Sequence, residues 1–331
     1  MARYNIYGIG GALLDIEVNV SETFLSQSKI RKGSMTLVDQ GMQTKLMNQL
    51  NLSKRNIKKS CGGSVCNSVV AASHLGSNVY FSGKVATGLD GDFFYEELKK
   101  CGISFDKAGQ ETGITGTCLV MITEDAERTL VTCLGSSEKF TSCDIDLLEL
   151  ANSEWLLAES YLVSSSLNLL ALQHAFEKAR QKNVKIALSL SDYFLVLNFL
   201  ELIQKLIGDG IDLIFCNKQE AISFTGSEDI ELAVDIMKNY AKSFVITDGS
   251  NGCILFDGEK ITKVDAIPVT AVDTNGAGDM FAGSFLGAIT LGIDFLSAAK
   301  LANECAGVAV TRYGPRLNKS DFESIKKKYQ V

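Results

Sequence analysis

Histidine and proline are nearly missing from this chain: His74, His174, Pro268 and Pro315 are the only ones in 331 residues. Two histidines exclude a His-rich metal centre and leave little material for a Ser-His-Asp triad. The nine cysteines never form a Cys-x-x-Cys pair, their number is odd, and most stand inside apolar runs such as Ile214-Phe215-Cys216. They read as buried, reduced thiols rather than a disulfide framework. Basic residues are also short, 32 Lys and Arg against 39 Asp and Glu, a net charge of −7. A nucleic-acid partner needs a basic footprint, so none is expected. Long hydrophobic runs are absent too: the most membrane-like stretch, Met280 to Ile293, falls short of the roughly 20 apolar residues that cross a bilayer. The first residues, Met1 to Tyr7, run into a strand-like segment without a signal-peptide core. A cytoplasmic protein with no membrane partner is expected. Glycine, by contrast, is plentiful at 29 residues, and backbone freedom is concentrated there.

Length and a hydrophobic content of 46 % fit one large packed domain or two. Tyr4–Ile9, Val79–Gly83, Trp155–Ala158, Val184–Leu188, Leu213–Cys216 and Phe244–Thr247 are continuous apolar runs, as in parallel strands covered on both faces. Helical spacing alternates with them at Ser64–Leu75, Phe93–Cys101, Leu167–Lys182, Leu195–Ile207 and Ile230–Tyr240. It then dominates the C-terminal third, at Gly276–Leu291, Phe295–Thr311 and Lys319–Tyr329. The pattern predicts an α/β fold, a doubly wound and mainly parallel sheet sandwiched by helices. Glu17 to Val38 shows no helix, and Ile103 to Leu134 reads as β, with Thr117–Ile122 and Thr129–Cys133 around the turn Glu124 to Glu127. With no linker or repeat between them, the expectation is a single domain over 1–331 carrying a small β-sheet lid from about 16–40 and 103–134.

Val272-Asp273-Thr274-Asn275-Gly276-Ala277-Gly278-Asp279, ahead of the helical run Met280–Leu291, is the most informative string. Gly-Ala-Gly at a helix start leaves backbone N–H groups open to an anion. Asp279 would stand beside a transferring phosphoryl group, placed to accept a proton from an attacking hydroxyl. The bland alternative is a Gly-rich cap with Asp279 as a first-turn partner of the helix dipole. Gly8 to Asp15 follows a strand but fails the dinucleotide fingerprint, with Leu13 at its sixth position. No Walker loop or protein-kinase motif is present. Cys61-Gly62-Gly63-Ser64-Val65-Cys66-Asn67 is a second Gly pair at a helix start.

Together these residues resemble the ribokinase-like (PfkB-type) kinases of sugars and nucleosides, in order from about Tyr4 to Phe322. The resemblance implies that Asp279 is the catalytic base and that the amides of Gly276, Ala277 and Gly278 form an anion hole. It places Gly62, Gly63 and Asn67 on the substrate side, with Asp15 accepting two sugar hydroxyls as an ionised carboxylate does. Asn217 and Glu220, in Asn-Lys-Gln-Glu, would act on Mg²⁺-bound water and phosphate, although the same pair reads equally as a helix capping box. Thr247, Gly249, Gly252 and Asn275 would flank ATP, and Asn303 the adenine. A monovalent cation near Asp273 occurs in relatives. Gly10-Gly11-Ala12-Leu13-Leu14-Asp15 and Glu127-Arg128-Thr129-Leu130 are similar to the adenosine-kinase branch. Gly11 stands where an Asn is usual, and Gly88 where an acid is usual.

The resemblance and the residues together imply an ATP- and Mg²⁺-dependent kinase of a primary hydroxyl on a nucleoside of adenosine type. A kinase of a free sugar such as fructose or ribose is the alternative. From another class, the rival is a non-catalytic nucleotide or nucleoside sensor on the same fold, which would have no need of a base beside an anion hole. The lid strands leave the choice between a monomer and a lid-mediated homodimer open.

Overall fold

In a computed structural model of the chain, residues 2–52, 57–106, 110–125 and 127–329 are described. Ala126, within the expected turn at 124–127, lies outside them. The strands in chain order are β1 (Tyr4–Ile9), β2 (Leu13–Asn19), β3 (Met35–Leu37), β4 (Lys58–Gly62), β5 (Val79–Ser82), β6 (Ser104–Phe105) and β7 (Gly116–Ile122). They continue as β8 (Arg128–Cys133), β9 (Ser153–Glu159), β10 (Lys185–Ser189), β11 (Ile211–Asn217), β12 (Ala241–Thr247), β13 (Cys253–Phe256) and β14 (Ile261–Val264). Nine of them form one sheet in the order β14-β13-β12-β11-β10-β9-β1-β5-β6. It is parallel from β12 through β6 and ends in the antiparallel β12-β13-β14 edge.

Both faces of this sheet are buried, which is why its strands read as unbroken apolar runs. Ile6, Phe81, Leu157, Leu213 and Val245 point to one face, under the helices Ser64–Leu75, Ala277–Thr290 and Phe295–Ala309. Their neighbours Tyr7, Tyr80, Leu156, Ile214 and Phe244 point to the other, under Ser166–Gln181 and Tyr193–Ile207. Alternation of side chains along each strand thus builds two cores from one sheet.

The five remaining strands form a second sheet, β3-β8-β7-β2-β4. Its outer face, Ile16, Val18, Leu119, Met121 and Val131, packs with Leu25, Leu46 and Leu50. Those leucines come from the helix Glu22–Ser28, from the helix Gln40–Gln49 and from the residue that caps the latter. The first helix corrects the expectation that none lies between Glu17 and Val38. Ser21 caps it by accepting the Phe24 N–H, Lys29 ends it with φ 61°, and Leu25 is its one buried residue. Seven residues with one apolar contact carry almost no periodic signal. Two further differences concern the extent of the small sheet. Ser104–Phe105 joins the large sheet beside β5, and β4, unread as a strand, pairs with β2.

Candidate active site

Two helices carry the central group. Ser64–Leu75 begins at Gly63 and Ala277–Thr290 at Gly276, and they pack at unusually short range. A Cβ at Gly283 would lie 2.0 Å from the Ser68 carbonyl oxygen, and one at Gly287 3.0 Å from the Ala72 Cα. That approach brings Asp279, in the first turn of one helix, against the first turn of the other. Its Oδ1 accepts from Ser64 Oγ at 2.6 Å and its Oδ2 from Asn67 Nδ2 at 2.9 Å. Desolvation raises the Asp279 pKa, while the two donors and the Arg316 guanidinium oppose the rise. A carboxylate has about four acceptor positions, so two bonds leave room for a further proton donor.

The loop before Asp279 is organised by Asp273. Its Oδ1 accepts from the Asn275 N–H at 3.0 Å and its Oδ2 from the Gly314 N–H at 2.9 Å. The same Oδ2 lies 2.5 Å from Arg128 Nη2, an ion pair between two buried side chains. This carboxylate thus holds two backbone amides and a guanidinium together. Gly276 opens the helix in the left-handed region, at φ 74°, which glycine adopts without strain. Gly276 and Gly278 line the cavity. The Ala277 N–H instead turns back to the Thr274 carbonyl at 3.3 Å, so one of the three amides expected to form the anion hole is already used.

Across the cavity stands Asp15, on β2, 7 % exposed. Burial pushes its carboxyl up to about 7 against the pull of Arg316. A Cβ at Gly62 would sit 2.2 Å from Asp15 Oδ1, and one at Gly63, where φ is 103°, 2.0 Å from the Gly11 carbonyl oxygen. The Gly62-Gly63 pair is thus required by the close approach of β2 and the turn before it.

One central residue carried no sequence signal. Glu159 ends β9, is 2 % exposed, and accepts the Gly11 N–H through Oε1 at 2.8 Å and the Val65 N–H through Oε2 at 2.7 Å. It fastens the turn after β1 to the helix that holds Asn67, and burial raises its pKa to about 7. Its place at the carboxyl end of a strand, where doubly wound sheets bind ligands, emerges only once the sheet is assembled. Where the resemblance calls for Asn, Gly11 gives its N–H to Glu159.

Asn217 and Glu220 form the capping box. The Glu220 N–H donates to Asn217 Oδ1 at 2.9 Å, and the Asn217 N–H to Glu220 Oε2 at 3.0 Å. Both also line the cavity, and burial raises Glu220 to about 7. Thr247, Gly249 and Asn275 line it as well. Gly252 and Asn303 do not: Gly252 sits in the turn before β13 with φ 86°, and Asn303 spends its amide on the Val264 and Asp265 carbonyls at 3.2 and 3.1 Å. Asn303 is a buried tie under the β13-β14 edge. No cluster of three metal-ligating side chains occurs among the described residues.

The cavity joining these groups measures about 1010 Å³. Asp15, Asn67 and Asp279 share it with Asn217, Glu220 and Thr247, so all six open into one space.

The chain is 25 % identical over 334 residues to adenosine kinase 2 of Arabidopsis thaliana, covering 93 % of this chain and 94 % of that one. The crystal structure of a probable sugar kinase from Rhizobium etli superposes with a TM-score of 0.92 at 28 % identity, over 100 % of both chains. That of adenosine kinase from Sinorhizobium meliloti gives 0.90 at 28 % identity, over 99 % and 100 %. The profile described as pfkB family carbohydrate kinase matches residues 33–321. The chain belongs to the pfkB family of carbohydrate kinases, ATP-using phosphotransferases with a hydroxyl acceptor.

Proposed function

We propose that the protein transfers the γ-phosphoryl group of ATP to a primary hydroxyl of a nucleoside of adenosine type, with Asp279 as general base. The observation that carries this reading is the shared cavity. Asp279, tethered by Ser64 and Asn67, faces the same space as Asp15 on the acceptor side and the Gly276 and Gly278 amides on the phosphate side. Asp279 takes the proton as the acceptor oxygen bonds to the γ-phosphorus and the bond to the ADP oxygen breaks. The electron pair leaves with ADP, and the helix-start amides bear charge on the phosphoryl oxygens. Asp15 holds ring hydroxyls, Asn67 and Gly63 shape that subsite, and the inner face of the small sheet excludes water.

Mg²⁺ bound to ATP would neutralise phosphate charge. Lacking a cage of carboxylates, the site suits an ion held by phosphate oxygens and water, with Glu220 and Asn217 touching that water. A nucleoside is favoured over a free sugar because the cavity is also lined by Leu13, Leu134, Leu162 and Phe194, more apolar surface than a bare polyol uses. The deciding experiment is ADP release with ATP, Mg²⁺ and a panel of nucleosides and sugars. Adenosine or a related nucleoside should give the highest kcat/KM. Preference for fructose or ribose by ten-fold or more would reject the nucleoside assignment.

A further inference from the structure

The tripeptide Gly314-Pro315-Arg316 touches the catalytic loop at two places. The Gly314 N–H donates to Asp273, and Pro315 fills the space where a Cβ at Gly276 would lie, 2.5 Å from its own Cβ. Arg316 reaches further. Its Nε donates to Asn67 Oδ1 at 2.7 Å and its Nη2 to Cys66 Sγ at 3.3 Å. An Asn amide has one acceptor end and one donor end. With the acceptor end held by Arg316, the donor end must face Asp279, where it sits at 2.9 Å. Were the amide to flip, its oxygen would confront the carboxylate.

We propose that Arg316 is a positioning residue for phosphoryl transfer, acting through Asn67 to orient Asp279 and supplying the fixed positive charge shared by Asp279 and Asp15. It opposes the effect of burial at both carboxylates. The other groups facing this assembly are Glu159 and Glu220, the thiols Cys61, Cys66 and Cys101 around the guanidinium, Glu17 and Arg128 near Asp15, and His74 with Lys319. A lysine cannot replace the fork, since an ammonium is a single point charge without the Nε and Nη2 geometry.

The inference rests on Asp279 being the base, and the test separates the two. Arg316→Met and Arg316→Lys are assayed in the full-length protein with ATP and the best acceptor, from acid to alkaline pH, alongside Asp279→Asn. Misplacing the base lowers kcat in both Arg316 variants by about 10–100-fold, with KM for ATP kept. In Arg316→Met the acidic limb of the pH profile also moves to higher pH, because a positive charge has gone. In Arg316→Lys it stays in place. Adding Arg316→Lys to Asn67→Ala should cost little beyond Asn67→Ala alone. If Arg316→Met fails to fold, Arg316→Lys and the double variant decide. Near-native kcat in the Arg316 variants, or a full additional loss on the Asn67→Ala background, overturns the inference. Asp279→Asn with near-native rate would instead remove the base itself.

Discussion

At the scale of single residues, the site is a set of acids held where water is scarce. Asp15 and Glu159 are both raised to about 7 by burial. Because the folded-state pKa lies above the unfolded value, their contribution to stability is full below the unfolded pKa and is lost as pH rises through 7. The unliganded protein should therefore show a falling Tm between about pH 5 and 8, and Asp15→Asn should flatten part of the fall while raising KM for the acceptor. A parallel decline in both proteins would contradict the burial of an ionisable Asp15. Gly62→Ala drives a methyl into that carboxylate. A loss of about 1–3 kcal/mol in denaturant unfolding is expected, together with weaker acceptor binding. Asp279 was legible from its own Gly-rich string, and Asp15 and Asn67 only through the family resemblance of theirs; all three line the cavity. Glu159 and Arg316 were not legible. Glu159 serves amides 148 and 94 positions away, and Arg316 serves an amide 249 positions away, so no local pattern announces either.

Elements position these residues through backbone proximity rather than through side chains alone. The helices Ser64–Leu75 and Ala277–Thr290 meet where Gly283 leaves the Ser68 carbonyl no neighbour but hydrogen. Gly283→Ala should push the first turns apart and stretch both donors away from Asp279. A kcat loss of about 100-fold is expected even where the protein still melts cooperatively. Unchanged turnover in that variant would mean that the helix contact does not set the base. Long elements with repeated apolar spacing were readable, and Tyr4–Ile9, Ser64–Leu75 and Lys319–Tyr329 have the bounds their patterns predict. Glu22–Ser28 and β4 escaped because each is short, one packed on the small sheet and the other paired with β2 at its edge, without a periodicity of its own.

For the whole molecule, the buried pair of Arg128 on β8 and Asp273 before the Gly276 loop ties the small sheet to the main body. Breaking a buried pair leaves an uncompensated charge, so Arg128→Met should destabilise by about 3–5 kcal/mol in chemical unfolding, with little dependence on salt. A change under about 1 kcal/mol would class it with surface pairs. The doubly wound plan was legible because alternation of apolar strands and helices survives in the sequence. The reach of Arg128 to Asp273 was not, since it depends on how two sheets face each other. The most direct measurement on the role of Asp279 is the single-turnover rate of Asp279→Asn beside the native protein, with ATP and the preferred acceptor. A general base at this position predicts a fall of about 10²–10⁴-fold with both ligands still bound at native affinity. A rate within a few-fold of native would contradict it.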